Sequence, residues 1–176
     1  ITDATVDAKI DYTSYKDCEC RIILTSPSGE VLISDGNSAH FEIENPELWW
    51  TYDLSEKAEQ PLYTVTAELL CDGCVVDECS KKIGIRKIEL NREFDGYGKN
   101  FQFKINDVPI FAKGANYIPP DSFITRFGEK ELNYLLDAFQ FSNMNVLRIW
   151  GGGYYGSDAL YDECDRRGIL VWQDFM

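Results

Sequence analysis

The chain has 176 residues, of which 44% are hydrophobic and 14% aromatic, so it can bury a core in one domain or in two small ones. Its formal net charge of −13 argues against nucleic acid and anionic membrane surfaces as partners, because both repel a strongly acidic protein. No apolar run reaches the roughly 18 residues of a membrane span.

The first half of the chain has the pattern of short β-strands separated by turns. From Ala4 to about Leu90, apolar and polar side chains alternate, and turn sequences such as the one from Ser26 to Gly29 interrupt them. No helical period is visible in this range. About seven strands in such a length predict an immunoglobulin-like β-sandwich over residues 1–90.

Two features inside this half invite a functional interpretation. The adjacent indoles of Trp49 and Trp50 would suit stacking on a sugar ring, but an ordinary structural role, with one buried and the other half exposed, is more common. The single histidine, His40, lies in a predicted strand, where we expect it to have no chemical role.

Five of the six cysteines lie in the predicted sandwich. Cys18 and Cys20 share one face of an alternating strand, which suits buried thiols. Cys71 and Cys74 flank a two-residue turn and would face each other, so a disulfide between them stays open. Because no second pair of zinc ligands is present, the expectation is free thiols in a reducing compartment, which favours the cytoplasm.

The second half changes to a different pattern after a polar, glycine-containing seam at residues 91–100. A hairpin with its turn at residues 106–109 leads into a strand that ends near Asn116. A helix is predicted over Glu129–Ser142, with leucines at helical spacing. We therefore place a second domain at residues 91–176.

The C-terminal stretch predicts a βαβ unit. A strand at residues 146–150 is followed by a helix that Ser157 begins and Gly168 ends, and then by a second strand. Alternation puts aliphatic side chains on the helix-covered face and polar or aromatic ones on the other. In a barrel of parallel strands, active sites form at the C-terminal ends of the strands. Five residues near these ends are therefore candidates for a functional site. They are Asn116, Arg148, Trp150, Trp172 and Asp174.

Several of these stretches resemble the β-mannosidase branch of glycoside hydrolase family two. They are NPELWW, QPLYTV, GIRKIELN, PIFAKGANYIPPDSF, NMNVLRIWGGGYY and GILVWQDFM. The resemblance implies an immunoglobulin-like sandwich followed by the first βα units of an incomplete (β/α)8 TIM barrel. It also implies a fragment of a retaining exo-glycosidase that hydrolyses terminal β-mannosides with no cofactor and no metal. Residues 51–57 depart from the family, which has a proline and a glycine-rich turn there.

The resemblance also assigns roles. It implies that Arg148 orients the catalytic nucleophile and that Trp150 lines the terminal sugar subsite, with Trp172, Asp174 and Asn116 in the same pocket. Both catalytic glutamates of the family would lie outside this chain. The chain alone is therefore expected to be inactive, and to self-associate through its incomplete barrel.

Three alternatives remain open at this point. In the first, Trp150 and Trp172 only fill the barrel interior and bind no ligand, and Asp174 serves only as the ion-pair partner of Arg148. In the second, the chain is a non-catalytic carbohydrate-binding or scaffold module, although such a module has no obvious use for Arg148 on the inner face of the strand. Within the same family, the substrate would instead be a β-galactoside or a β-glucuronide.

Overall fold

The computed structural model describes residues 1–14 and 17–176. They form two compact units: residues 1–49 with 61–85, and residues 50–60 with 86–176. Neither helix in the described part of the chain is long and apolar enough to cross a membrane. Each unit is described by itself.

The first unit consists of six strands in two antiparallel sheets. These strands are β1 (Asp3–Lys9), β2 (Glu19–Thr25), β3 (Val31–Asp35), β4 (Ser38–Glu44), β5 (Tyr63–Cys71) and β6 (Cys74–Ile83). Strands β1 and β4 form one sheet, and the other has the order β3-β2-β5-β6. Ile22 and Leu24 of the larger sheet are buried with Ala39 and Phe41 of the smaller one. The prediction of a β-sandwich is therefore confirmed.

The tryptophan pair has the structural role that we expected. Trp49 is fully buried, and its backbone N–H donates to the carbonyl of Ile85 at 2.8 Å. A Cβ on Gly84 would lie 2.8 Å from Cδ1 of this indole, so only glycine leaves room for it. Trp50 is half-buried.

The prediction that all six cysteines are free thiols is wrong. Cys18 is bonded to Cys71, with 4.5 Å between their Cα atoms, whereas Cys74 is a free, exposed thiol. The reason is the strand order: β2 lies beside β5, and the pair Glu19–Leu70 brings the next residues, Cys18 and Cys71, opposite each other. The argument from free thiols to a reducing compartment loses its basis.

The second unit contains two three-stranded sheets and two helices. Its elements are β7 (Ile88–Asn91), β8 (Gln102–Ile105), β9 (Val108–Ile110), β10 (Gly114–Tyr117), α1 (Glu129–Phe141), β11 (Val146–Ile149), α2 (Asp158–Arg167) and β12 (Leu170–Gln173), with single 3-10 turns at Tyr52–Leu54 and Ile124–Arg126. Strands β7, β8 and β9 form an antiparallel meander. The turn between β8 and β9 is only Asn106–Asp107, both at positive φ, which is shorter than the turn over residues 106–109 that we predicted. Asn and Asp tolerate that conformation, so Pro109 joins the strand.

Strands β10, β11 and β12 form a parallel sheet with helices on one face. Leu147 and Ile149 of β11 pack against Leu136 of α1 and Leu160 of α2, all at most 3% exposed. Burial raises the pKa of Cys164 in the same core to about 12, so this thiol stays neutral. The predicted division between aliphatic and polar faces is confirmed.

Helix α2 begins and ends where the sequence signals place it. The Oγ of Ser157 accepts the Leu160 N–H at 3.4 Å, and Gly168 follows the last turn at φ 74°. A Cβ on Gly168 would lie 2.7 Å from the backbone of both Trp50 and Tyr52, a second reason for glycine at this position.

A buried asparagine closes the N-terminal end of the parallel sheet. Asn145, 1% exposed, lies just before β11 and accepts the Lys113 N–H on its side-chain oxygen at 2.9 Å. Its amide donates to Asp53 at 2.9 Å, and its carbonyl accepts the Leu170 N–H at 2.9 Å. This one residue therefore ties together β12, the segment before β10 and the turn at residues 52–54.

Candidate functional site

The candidate site lies at the C-terminal end of the parallel sheet, on the face without helices. Asn116, Arg148 and Trp172 are direct neighbours across β10, β11 and β12. Trp150 and Asp174 follow two residues beyond Arg148 and Trp172, respectively. The pattern of alternation therefore brings all five predicted residues to one end of one sheet.

Arg148 is held by two polar neighbours. Its Nη2 and Nε donate to the two carboxylate oxygens of Asp174, at 2.7 and 3.3 Å, and its Nη1 donates to Oδ1 of Asn116 at 2.9 Å. These bonds use three of the five guanidinium N–H groups. The side chain of Arg148 is 40% exposed and that of Asp174 22% exposed, so the pair is in partial contact with solvent. The inward arginine finds its carboxylate within this chain.

None of the three glycines after β11 has a positive φ, but two of them, Gly152 and Gly153, lie too close to their neighbours for a side chain. The Gly151 N–H donates to Oδ2 of Asp174 at 3.1 Å. A Cβ on Gly152 would lie 2.0 Å from Cη2 of Trp150. A Cβ on Gly153 would lie 2.8 Å from Cδ of Pro119. The run therefore passes close to Trp150, Pro119 and Asp174.

Trp150 combines a fixed position with an exposed ring. Its backbone N–H donates to the Tyr117 carbonyl at 3.0 Å, and its indole lies against the backbone of Gly152. The residue is nevertheless 43% exposed. A flat aromatic face held beside hydrogen-bonding groups is the arrangement that stacks on the apolar face of a sugar ring.

Trp172 has mainly aromatic neighbours. Its ring stacks on Phe101 at 6.3 Å between centroids and meets Phe103 edge-on at 5.8 Å. These rings border an apolar cavity of about 310 Å³. Its lining residues are Ile88, Leu90, Phe101, Phe103, Val146, Leu170, Val171 and Trp172. Trp172 therefore packs in an aromatic cluster, while Arg148 is held by Asp174 and Asn116.

Two residues that the sequence interpretation missed support the end of β12. The Tyr161 hydroxyl donates to Oε1 of Gln173 at 2.7 Å and accepts the Gly156 N–H at 3.1 Å. Nε2 of Gln173 donates to the carbonyl of Asp174 at 2.7 Å. Together they link α2 and the loop after the glycines to the residue that holds Arg148. No sequence signal marks these contacts, because they join residues across a strand, a helix and a loop.

The other candidate chemical groups lie elsewhere. His40 is in β4, where a hydrogen bond from its Nδ1 to Asp7 and the charge of that carboxylate raise its pKa. Among residues 1–14 and 17–176, no three His, Cys, Asp or Glu side chains are grouped as metal ligands.

Sequence comparisons relate this chain to known enzymes. Residues 2–86 match the family model described as glycosyl hydrolases family 2. The chain is 39% identical over 155 residues to a Thermothelomyces thermophilus protein named β-mannosidase B, an alignment that covers 87% of this chain and 17% of that protein. By sequence, residues 2–86 of this chain are similar to glycosyl hydrolase family 2, and the named β-mannosidase aligns with most of the chain. It spans a small part of the length of the curated relatives it matches.

Solved structures of glycosidases are also similar to this chain. The crystal structure of a β-D-mannosidase from Dictyoglomus thermophilum matches 99% of this chain and 22% of its own length, with a TM-score of 0.79 and 36% identity. A β-glucuronidase from Ruminococcus gnavus in complex with D-glucuronic acid matches 99% of this chain and 28% of its own length, with a TM-score of 0.77 and 22% identity. At that identity the second likeness shows the fold alone.

Proposed function

We propose that this chain is part of a retaining exo-glycosidase that removes terminal β-mannose. The main support for this proposal is the set of residues at the C-terminal end of the parallel sheet. Arg148 is hydrogen-bonded to Asp174 and Asn116, and the indole of Trp150 packs against Gly152. The names of the family 2 relatives support mannose as the sugar.

The parallel sheet would be the start of a (β/α)8 barrel. Strands β10, β11 and β12 are parallel, adjacent and joined by α1 and α2, as in the first units of such a barrel. In that fold, active sites form at the C-terminal ends of the strands, which is where the five candidate residues lie.

Each candidate residue has a distinct role in this proposal. The indole of Trp150 stacks on the sugar, and Arg148 uses its remaining N–H groups on the sugar or on the nucleophile. Asp174 and Asn116 hold the guanidinium, and Asp174 also holds the Gly151 N–H. Trp172 lines the pocket from its aromatic cluster.

Catalysis with retention requires two carboxyl groups about 5 Å apart, one as nucleophile and one as acid/base. The resemblance implies that both are glutamates outside this chain. We therefore propose that the chain by itself hydrolyses no glycoside, and that its exposed apolar cavity beside Trp172 favours self-association.

The test compares the whole protein that contains this chain with the chain alone. Each is assayed against 4-nitrophenyl β-mannoside, β-galactoside and β-glucuronide, beside an empty-vector control. We expect the whole protein to prefer the mannoside and the chain alone to match the control.

The other outcomes separate the alternatives. A preference for galactoside or glucuronide would overturn the choice of sugar, and no hydrolysis by the whole protein would favour a binding or scaffold module. Turnover by the chain alone that disappears in Asp174→Asn would show that the catalytic groups lie within it.

A further inference from the structure

Three cysteines lie side by side across one end of the larger sheet in the first unit. Cys71 is the last residue of β5, and Cys74, the first residue of β6, is its direct partner across the hairpin. On the other side, Cys18 immediately precedes β2 and is bonded to Cys71. The central cysteine therefore has a cysteine on each side.

This arrangement brings a free thiol next to a disulfide. Directly paired residues in an antiparallel sheet project their side chains to the same face. Their Cα atoms are about 4.5–5.5 Å apart, which is within the range that a disulfide spans. Cys74 is exposed and free, so its sulfur is accessible for reaction, whereas Cys71 is only 8% exposed.

We propose that Cys74 is an exchange thiol that moves the disulfide from Cys18–Cys71 to Cys71–Cys74. The Cys74 thiolate attacks Sγ of Cys71, a bond forms between these two sulfurs, and the Cys18–Cys71 bond breaks. The electron pair leaves on Sγ of Cys18, which then takes a proton from water. One disulfide and one thiol are present before and after, so no oxidant is needed.

A hydroxyl stands beside the leaving sulfur. Oγ of Ser14 lies 3.2 Å from Sγ of Cys18, where its proton can stabilise the departing thiolate.

The product differs from the starting form in one respect: the N-terminal end of β2 is no longer tied to β5, and the bond instead closes the hairpin between β5 and β6. This inference is independent of the proposed glycosidase function.

Cys79 provides a matched control on the same strand. It is also free and exposed, but its cross-strand partner is Ala67, so it has no disulfide opposite it. The remaining cysteine of this sheet, Cys20, is buried and faces Leu69.

The test maps disulfides in the purified chain after incubation without oxidant at about pH 8.5, the ordinary pKa of a cysteine thiol. Exchange is stopped with acid, and thiols are blocked with N-ethylmaleimide under denaturing conditions before digestion with trypsin. Cleavage at Lys16 and Arg21 releases the peptide with Cys18, and cleavage at Lys57 and Lys81 releases the one with Cys71 and Cys74. The starting form gives these two peptides linked; the product gives them separate, the longer one with an internal bond.

We expect the internally bonded peptide to appear with time in the unmodified chain, about tenfold or more above its level in Cys74→Ser. Cys79→Ser should match the unmodified chain. If the unmodified chain stays at the level of Cys74→Ser, the proposal is overturned. It is also overturned if Cys79→Ser abolishes the product, since the thiol responsible would then be Cys79.

Discussion

The two ends of the parallel sheet in the second unit use polar side chains for opposite purposes. At the N-terminal end, Asn145 is 1% exposed and its hydrogen bonds all go to the surrounding chain. At the C-terminal end, Arg148 is 40% exposed and keeps unused N–H groups next to the half-exposed Trp150. The same three strands thus end in a closed polar joint on one side and in an open polar surface on the other. A closed joint contributes stability, whereas an open one can bind a ligand.

The largest effect that we expect is at the closed end. Asn145→Ala removes the side-chain acceptor of the Lys113 N–H and one of the donors to the Asp53 carboxylate, which keeps Lys113 as a partner. Because the variant loses a buried side chain that accepts one hydrogen bond and donates two, the free energy of unfolding should fall by about 2–4 kcal/mol. Urea denaturation measures this change.

The matched variant is at the open end. Asn116→Ala removes one hydrogen bond to Arg148 from an exposed residue, so its cost should be below about 1 kcal/mol. Equal costs for the two asparagines would show that the two ends do not differ as proposed.

The next effect is on activity at the open end, and it depends on the proposed function. In the whole protein, Arg148→Lys should lower kcat/KM for a β-mannoside by about 10²-fold, because an ammonium cannot reproduce the paired contact with Asp174. Stability should change little, since the ion pair is partly exposed. Arg92→Lys, at an exposed arginine, is the control, and unchanged kinetics in Arg148→Lys would remove Arg148 from the site.

A smaller loss of activity should follow when a side chain is added at Gly152, beneath the indole of Trp150. In Gly152→Ala the new Cβ would overlap Trp150, which must therefore move. We expect about a tenfold loss of kcat/KM in the whole protein. In the chain alone, the NMR signal of the Trp150 indole N–H should shift.

Gly98→Ala is the control for that substitution. Gly98 has no positive φ, and no atom lies within 4 Å of the position that a Cβ would take, so alanine fits there. An unshifted indole signal in Gly152→Ala would mean that Trp150 does not rest on the glycine run.

The smallest effect is a pH dependence at the C-terminal half of α2. Hydrogen bonds from Arg166, together with those from Arg167, lower the pKa of Glu163 to about 2 although partial burial opposes this. A lowered pKa stabilises the folded state above the ordinary value of about 4.3, and this contribution is lost as the pH falls towards 2. Glu163→Gln should therefore lower the free energy of unfolding by about 1 kcal/mol at neutral pH.

That difference should shrink below about pH 4 and disappear near pH 2. Denaturation curves of both proteins across this range provide the measurement, with the exposed Glu93→Gln as control. A difference that stays constant with pH would mean that the carboxylate charge of Glu163 does not contribute.

Local pattern was enough to predict much of the candidate site. The alternation of β11 and β12 placed Arg148, Trp150 and Asp174 on the face without helices, because side-chain direction in a strand depends only on residue number. Ser157 and Gly168 marked the ends of α2 for equally local reasons, hydrogen bonding and backbone conformation. The domain boundary between residues 90 and 91 stays a prediction.

The tertiary structure decided which of these residues meet residues far away in the chain. The disulfide partner of Cys71 depends on β2 lying beside β5, an order that no local signal contains. The aromatic cluster of Trp172 depends on where β8 and the residue before it bring Phe103 and Phe101. Composition and periodicity determine the face of a strand, but contacts between distant strands depend on how the whole chain packs.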